Sequence, residues 1–172
     1  MNITQPYNNE VYIVNNFVTD DEVSFMHKYL NKFYSPNRNL EKDYDALKVT
    51  VKYKFLELQK RAEDIISSIT GNQDYEFTPL YNFMRLSSGI ISPHADNLKD
   101  GAKQNVMYGC ILYWNNDFDG GQLQYPVLGL EYQPVPGDFV FHPGTEEYTH
   151  GVKEVVSGVR YTSTMFVKNR VE

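Results

Sequence analysis

The chain has 172 residues, a formal net charge of −6 at pH 7, and an aromatic share of 15% that includes fourteen Tyr and ten Phe. The length suits one domain with a real core. The acidic balance argues against a sequence-independent nucleic-acid binder, whose footprint is basic, and the aromatic content suits a β-rich fold. Cys110 is the only cysteine, which leaves no disulfide framework and no Cys-rich zinc site. Between Gly109 and Ile111 it reads as a small core residue, not a catalytic thiol. Met1 to Tyr7 carries neither a basic nor an apolar leader region, and no apolar run approaches membrane-spanning length. The expectation is a soluble cytoplasmic protein, a monomer or small oligomer, with no membrane or nucleic-acid partner.

In chain order, Val11 to Phe17 is a short β-rich run. Thr19-Asp-Asp-Glu22 matches a capping box, a hydroxyl at the N-cap and a carboxylate three residues on. The helix it opens carries Val23, Met26, Tyr29, Leu30 and Phe33 at helical spacing. Ser35 to Asp45 is polar and turn-rich and reads as a loop. A longer helix is predicted from about Lys48 to Ser68, with Val51, Phe55, Leu58, Ala62, Ile65, Ile66 and Ile69 as its buried stripe and Gly71 as its stop. Beyond Tyr75 the pattern changes to short β-rich runs at 76–86, 89–93, 106–114, 121–125, 130–134, 138–142, 148–155 and 159–167. Turn residues separate them, among them Asn115-Asn116, Asp119-Gly-Gly121, Pro136-Gly137-Asp138 and Ser157-Gly158. Such a succession points to a sandwich or barrel of the jelly-roll kind, with the preceding helices buttressing one face.

Ser92 to Asn97 places His94 and Asp96 two positions apart at the end of a strand-like run. Residues so spaced on an extended backbone point the same way, so the pair can grip one metal ion from one side. His27, in the first helix, reads as a surface or packing residue. His142 and His150 are the two candidates for a third ligand. Two imidazoles and one carboxylate leave three positions open, the facial arrangement used by non-haem iron oxygenases. His150 is favoured because Arg160 lies ten residues beyond it, and an Arg fork can hold a carboxylate in two parallel hydrogen bonds. In a plain hairpin about Ser157-Gly158, Arg160 would lie roughly 16 Å along the strand from the partner of His150, at about 3.3 Å per residue. A crossover between opposing sheets removes that separation.

Other chemistries fit less well. Asp96, Asp100 and Gly101 match three positions of a calcium loop, but Leu98 and Met107 fall where oxygen ligands are needed. Asn115, Asp117, Asp119 and Gly120 match better, yet Pro126 occupies the Glu position. A zinc hydrolase with His/Asp/His ligands leaves Arg160 unexplained and lacks a nearby Glu as general base.

With these residues in view, the chain resembles the 2-oxoglutarate- and iron(II)-dependent oxygenases, specifically the prolyl 4-hydroxylase-like group. The resemblance spans about Asn8 to Lys168. It is carried by Tyr81-x-x-Met-Arg85-Leu-x-x-Gly89, Pro93-His-Ala-Asp-Asn97, Cys110-Ile-Leu-Tyr-Trp-Asn115, Asp117-Phe-Asp-Gly-Gly-Gln-Leu123, Pro136-Gly-Asp-Phe-Val-Phe141, His150-Gly-Val152 and Gly158-Val-Arg-Tyr-Thr162. It implies a mainly β, double-stranded β-helix (jelly-roll) core over 75–169, buttressed by the N-terminal strand and helices of 1–74, in a single oxygenase domain. It implies Fe(II) on His94, Asp96 and His150. Arg160 would pair with the distal carboxylate of 2-oxoglutarate, with Tyr113 and Thr164 beside it and Thr162 as a rival to Thr164. The implied reaction consumes 2-oxoglutarate and O2, with ascorbate among the cofactors, releases succinate and CO2, and hydroxylates a prolyl residue in a peptide or protein.

The chain departs from the family pattern at Leu86 and Ile91, where a Tyr is common, so Tyr113 is expected to carry more of the cosubstrate binding. Arg160 stands where many prolyl 4-hydroxylases carry Lys. Ile91, Ile111, Phe139, Phe141 and Phe166 are candidate apolar walls of the site. Arg85 and Trp114 are candidate peptide contacts, and both also fit as packing residues. The loops Ser35–Asp45, Asn97–Gln104 and Pro143–Tyr148 are expected to choose the substrate. Another peptidyl side chain, a small molecule, or a non-catalytic jelly-roll binding module are the alternatives. The intact ligand set with Arg160 speaks against the last.

Overall fold

The computed structural model describes residues 2–5, 10–30, 49–80, 82–97 and 105–170. Its elements run β1 (Asn2–Thr4), β2 (Tyr12–Asn15), α1 (Asp20–Leu30), α2 (Val49–Thr70), β3 (Tyr75–Phe77), β4 (Asn82–Leu86), β5 (Gly89–His94) and β6 (Val106–Tyr113). They continue with β7 (Phe118–Gly120), β8 (Leu123–Tyr125), β9 (Leu130–Tyr132), β10 (Phe139–Pro143), β11 (His150–Gly158) and β12 (Arg160–Asn169), with a 3-10 turn at Glu146–Tyr148. No helix among the described residues is long and apolar enough to cross a membrane.

The strands form two sheets. The larger follows the order β1-β2-β10-β6-β12-β3, with β4 also paired to β12; the smaller follows β5-β11-β8-β9, with β7 also paired to β11. Strand periodicity sorts the large sheet's side chains onto two faces. On one face Val14, Leu112, Trp114, Phe139, Phe141, Met165 and Val167 pack with Val51, Phe55, Leu58, Ala62 and Ile66 of α2. On the other, Ile13, Ile111, Tyr113 and Val140 meet Leu123, Tyr125 and Leu130 of the small sheet. Phe139 and Phe141 therefore belong to the helix-side core, where they stack on Phe17 and Tyr12, and are not walls of a site between the sheets.

The capping box forms as expected. The Thr19 amide donates to Glu22 Oε2 at 3.0 Å, and the Glu22 amide donates to Thr19 Oγ1 at 3.2 Å. The stripe of α2 is buried from Val51 to Ile66, with Ile69 half-buried against the same core. His27 packs inward, its Nε2 2.7 Å from the Trp114 carbonyl. Phe33, Tyr81 and the loop at 35–45 lie outside the described residues.

Two strand expectations need correction. The run 76–86 divides into β3 and β4, which pair with opposite ends of β12. Between them the Thr78 amide donates to the Phe166 carbonyl and the Phe166 amide donates to Thr78 Oγ1, and Pro79 has no N–H for a ladder. The turn-like Asp117-Phe-Asp segment supplies β7, because buried Phe118 draws it onto β11.

Glu22 also joins the two helices to the segment between β2 and α1. Its carboxylate receives Arg61 at 3.0 and 3.1 Å and Lys54 at 3.3 Å, and Arg61 also donates to the Phe17 carbonyl at 2.6 Å. Burial would raise the Glu22 carboxyl, but hydrogen bonds from Arg61 and the Thr19 amide outweigh it and bring it down to about 2. A depressed folded-state pKa means that the unfolded chain binds the proton more readily. The stability Glu22 contributes is present above pH 4.5 and is lost as pH falls from 4.5 toward 2. Glu22→Gln is expected to cost about 2 kcal/mol at neutral pH and to flatten this acid limb in thermal melts recorded across that window.

Candidate active site

The site begins where β5 pairs with β11. The Cα atoms of His94 and His150 are direct cross-strand partners, and their rings lie 4.7 Å apart. Each Nδ1 faces a main-chain carbonyl two residues back, His94 toward Ser92 at 2.9 Å and His150 toward Tyr148 at 3.1 Å. A carbonyl can only accept, so each Nδ1 carries the proton and each Nε2 keeps its lone pair for a ligand.

Asp96 lies just past the strand. The Asn97 amide donates to Gly144 and the Gly144 amide donates to Met107, which ties this turn to β6. Asp96 is only 4% exposed, with His94 Nε2 3.8 Å from Oδ1 and His150 Nε2 3.7 Å from Oδ2. One ligand atom from each of His94, Asp96 and His150 falls within 4.8 Å of the others. Burial, aided by repulsion from His142, pushes His150 down to about 3, so its ring stays neutral at ordinary pH. Two neutral imidazole nitrogens and one carboxylate are a suitable donor set for a divalent iron.

This carboxylate fits only because residue 109 has no side chain. A Cβ on Gly109 would stand 1.9 Å from Asp96 Oδ2 and 2.9 Å from His142 Nε2. Cys110, next along β6, is buried, and burial together with the Asp96 charge holds its thiol well above the usual range. It is an inert core thiol.

A cavity of about 200 Å³ extends from these ligands between the sheets, lined by Met84, Ile91, Ile111, Leu123, Val152 and the inward side of β12. Along β12 the residues Arg160, Thr162, Thr164 and Phe166 all face it, as a period of two requires. Arg160 reaches this cavity because β11 and β12 belong to different sheets. The chain crosses at Gly158, at φ +76, where a Cβ would lie 2.4 Å from the Asp117 carbonyl.

Arg160 is 2% exposed. Its guanidinium lies 5.1 Å over the Tyr113 ring and donates to the Tyr113 hydroxyl at 3.4 Å. Its Nε has no hydrogen-bond partner among the described residues, and none of the ion pairs among them involves it. Burial pushes its pKa down, and Tyr113 only partly opposes that. A guanidinium remains charged under such conditions, so this is a buried cation with donor capacity to spare, suited to an anionic ligand.

The 2OG-Fe(II) oxygenase superfamily model matches residues 81–168, just over half of the chain. The chain belongs to the 2OG-Fe(II) oxygenase superfamily. Membership implies Fe(II) and 2-oxoglutarate as cofactor and cosubstrate, and a His-Asp-His site is present. No curated protein sequence matches significantly. Among solved structures, the chain is similar to the viral collagen prolyl hydroxylase of Paramecium Bursaria Chlorella virus-1 in its 2OG complex, with a TM-score of 0.72, 15% identity and coverage of 95% of this chain and 98% of that one. It is also similar to a Pseudomonas putida prolyl-4-hydroxylase, with a TM-score of 0.69, 18% identity and 95% coverage of each chain. At these identities the likeness is one of fold, a mainly β oxygenase fold with two helices among the described residues.

Neither candidate substrate contact, Trp114 nor Arg85, lines the cavity, and each takes a packing place that it also fits. Trp114 is fully buried, donates its indole N–H to Ser163 Oγ at 2.8 Å and packs on Phe55 and Phe83. It is a helix-side core residue. Arg85 alternates with Met84, which lines the cavity, and so shares the opposite face with Phe83. There it lies across from Tyr161 and donates to Ser87 at 2.9 Å. Leu86 is the cross-strand partner of Arg160. The Asn115 calcium lookalike is occupied by protein groups: Asn115 binds the Val159 carbonyl and the Tyr161 amide, and Asp119 accepts from Ser157. Residues 98–104 lie outside the described residues. Sequence reasoning missed Gly109 and Tyr125: only the register of β6 against β10 sets Gly109 opposite His142, and only the packing of the two sheets brings the Tyr125 hydroxyl to His142 Nδ1.

Gly109→Ala is expected to leave the fold intact while lowering the melting temperature by several degrees, since overpacking costs roughly 1–3 kcal/mol. By displacing Asp96 it should weaken Co(II) or Mn(II) binding at least about tenfold in calorimetric titration.

Proposed function

We propose that this chain is a 2-oxoglutarate-dependent dioxygenase that hydroxylates a prolyl residue in a peptide or protein. We read its two facing sheets as the double-stranded β-helix of the family, in one oxygenase domain buttressed by the helices. The observation that carries the reading is the shared cavity, with a His-Asp-His cluster and a buried guanidinium with spare donors both opening onto it. The prolyl assignment draws on the two prolyl hydroxylases of like fold.

His94, Asp96 and His150 would hold the iron, each imidazole oriented by its Nδ1–H bond to a carbonyl. When bound, iron supplies the oxidising chemistry by which 2-oxoglutarate and O2 become succinate and CO2 while one oxygen atom enters a substrate C–H bond. Arg160 would hold the distal carboxylate of 2-oxoglutarate through charge-assisted hydrogen bonds. The Tyr113 and Thr164 hydroxyls complete that end, with Thr162 alongside. Ile91, Ile111 and Phe166 line the space between and keep water from it. Ascorbate is the reductant we expect to sustain turnover.

His94→Ala and Asp96→Ala are expected to abolish conversion of 2-oxoglutarate to succinate with the circular dichroism spectrum unchanged. Arg160→Ala is expected to raise the KM for 2-oxoglutarate about 10- to 100-fold, the loss expected for hydrogen bonds to a charged group, with metal affinity nearly unaltered. An unchanged KM would assign the cosubstrate anchor to another residue. Succinate release screened over Pro-containing peptides, with mass spectrometry for a gain of one oxygen, tests the substrate. Turnover confined to peptides without proline would overturn the prolyl assignment, and no succinate under any condition would overturn the enzyme reading.

A further inference from the structure

Beneath the proposed ligands lies a third imidazole that neither the ligand set nor the cosubstrate pocket uses. His142 is wholly buried. Its ring is 4.2 Å from that of His150, and its Nε2 is 3.4 Å from Asp96 Oδ2. On its far side Nδ1 lies 2.8 Å from the hydroxyl of Tyr125, itself fully buried. Nε2 has no well-formed hydrogen bond among the described residues, although a buried donor left unsatisfied costs roughly 1–3 kcal/mol.

The two sides of this ring decide its tautomer together. A lone pair at Nε2 would face a carboxylate oxygen and be repelled by it. A proton at Nε2 is attracted, and it leaves Nδ1 to accept from Tyr125. The Tyr125 hydroxyl carries a proton that it can donate to Nδ1 across that 2.8 Å. Gly109 opposite His142 in the strand register lets the carboxylate approach the ring. A shift of about 0.4 Å brings Nε2 and Oδ2 to ordinary hydrogen-bond length.

We propose that His142, fixed by Tyr125, is a positioning residue that donates from Nε2 to Oδ2 of Asp96 and so presents the other carboxylate oxygen to the metal. The inference rests on the reading of His94, Asp96 and His150 as ligands. A protonated Nε2 cannot itself coordinate, so His142 is an orienting partner and not a fourth ligand.

The test uses Co(II) as the probe, with affinity from calorimetry, the visible spectrum of the Co(II) protein, and the melting temperature of the metal-free chain. His142→Phe keeps the ring volume and removes the donor; His142→Gln keeps an N–H near the position of Nε2; Tyr125→Phe removes the group that sets the tautomer. We expect His142→Phe to lose about 10- to 100-fold in Co(II) affinity and to shift the Co(II) bands. His142→Gln should stay within about threefold of the parent, and Tyr125→Phe should fall between them. A folded His142→Phe chain with parental affinity and spectrum overturns the proposal, as does a Gln variant that loses as much as Phe. Should His142→Phe fail to fold, Tyr125→Phe decides: unchanged affinity and bands overturn the proposal, and a loss with shifted bands supports it. A parent chain that binds no Co(II) brings down the ligand reading and this inference with it, whereas a parent that binds, matched by His142→Phe, brings down this inference alone.

Discussion

Burying the Asp96 carboxylate between two sheets sets requirements on every strand around it. A charge removed from water needs opposite charge or hydrogen-bond donors close by. Here the space comes from Gly109, the neighbours are His94, His142 and His150, and the approach is held by the Asn97–Gly144–Met107 ladder. The three imidazoles reach the carboxylate from β5, β10 and β11, so both sheets must be in register for the cluster to exist.

The opposite charge in the cavity is also buried. Arg160 stands on the large sheet with Tyr113 under its guanidinium and donors unused. A buried anion and a buried cation in one cavity, not paired with each other, trade folding stability for ligand binding. A metal at one end and a dicarboxylate anchored at the other meet both electrostatic demands, in keeping with the cofactors that superfamily membership implies.

β12 shows how one strand serves both core and site. Its odd-numbered residues Ser163, Met165 and Val167 face the helix-side core, while Arg160, Thr162, Thr164 and Phe166 face the cavity. The same alternation removes Phe139, Phe141, Trp114 and Arg85 from the site. Hydrophobic character alone does not distinguish the two faces of a strand buried on both sides, which is why Phe139 and Phe141 looked like cavity walls beside Ile111 and Phe166.

Local signals were legible in the chain itself. The Thr19–Glu22 capping box, the α2 stripe and most strand runs depend on neighbours within a few residues, and spacing encodes those interactions. His94 and Asp96 could be paired because an extended backbone aims alternate side chains together. Tertiary structure alone decided which face of each buried strand meets helices and which meets the cavity. It also decided that β11 and β12 part into different sheets, and that Gly109 yields its space to Asp96. Tyr125, 17 positions from His142 in sequence, closes on it at 2.8 Å only after the sheets pack. Such contacts follow from the register of strands distant in the chain, and no short stretch of residues carries that information.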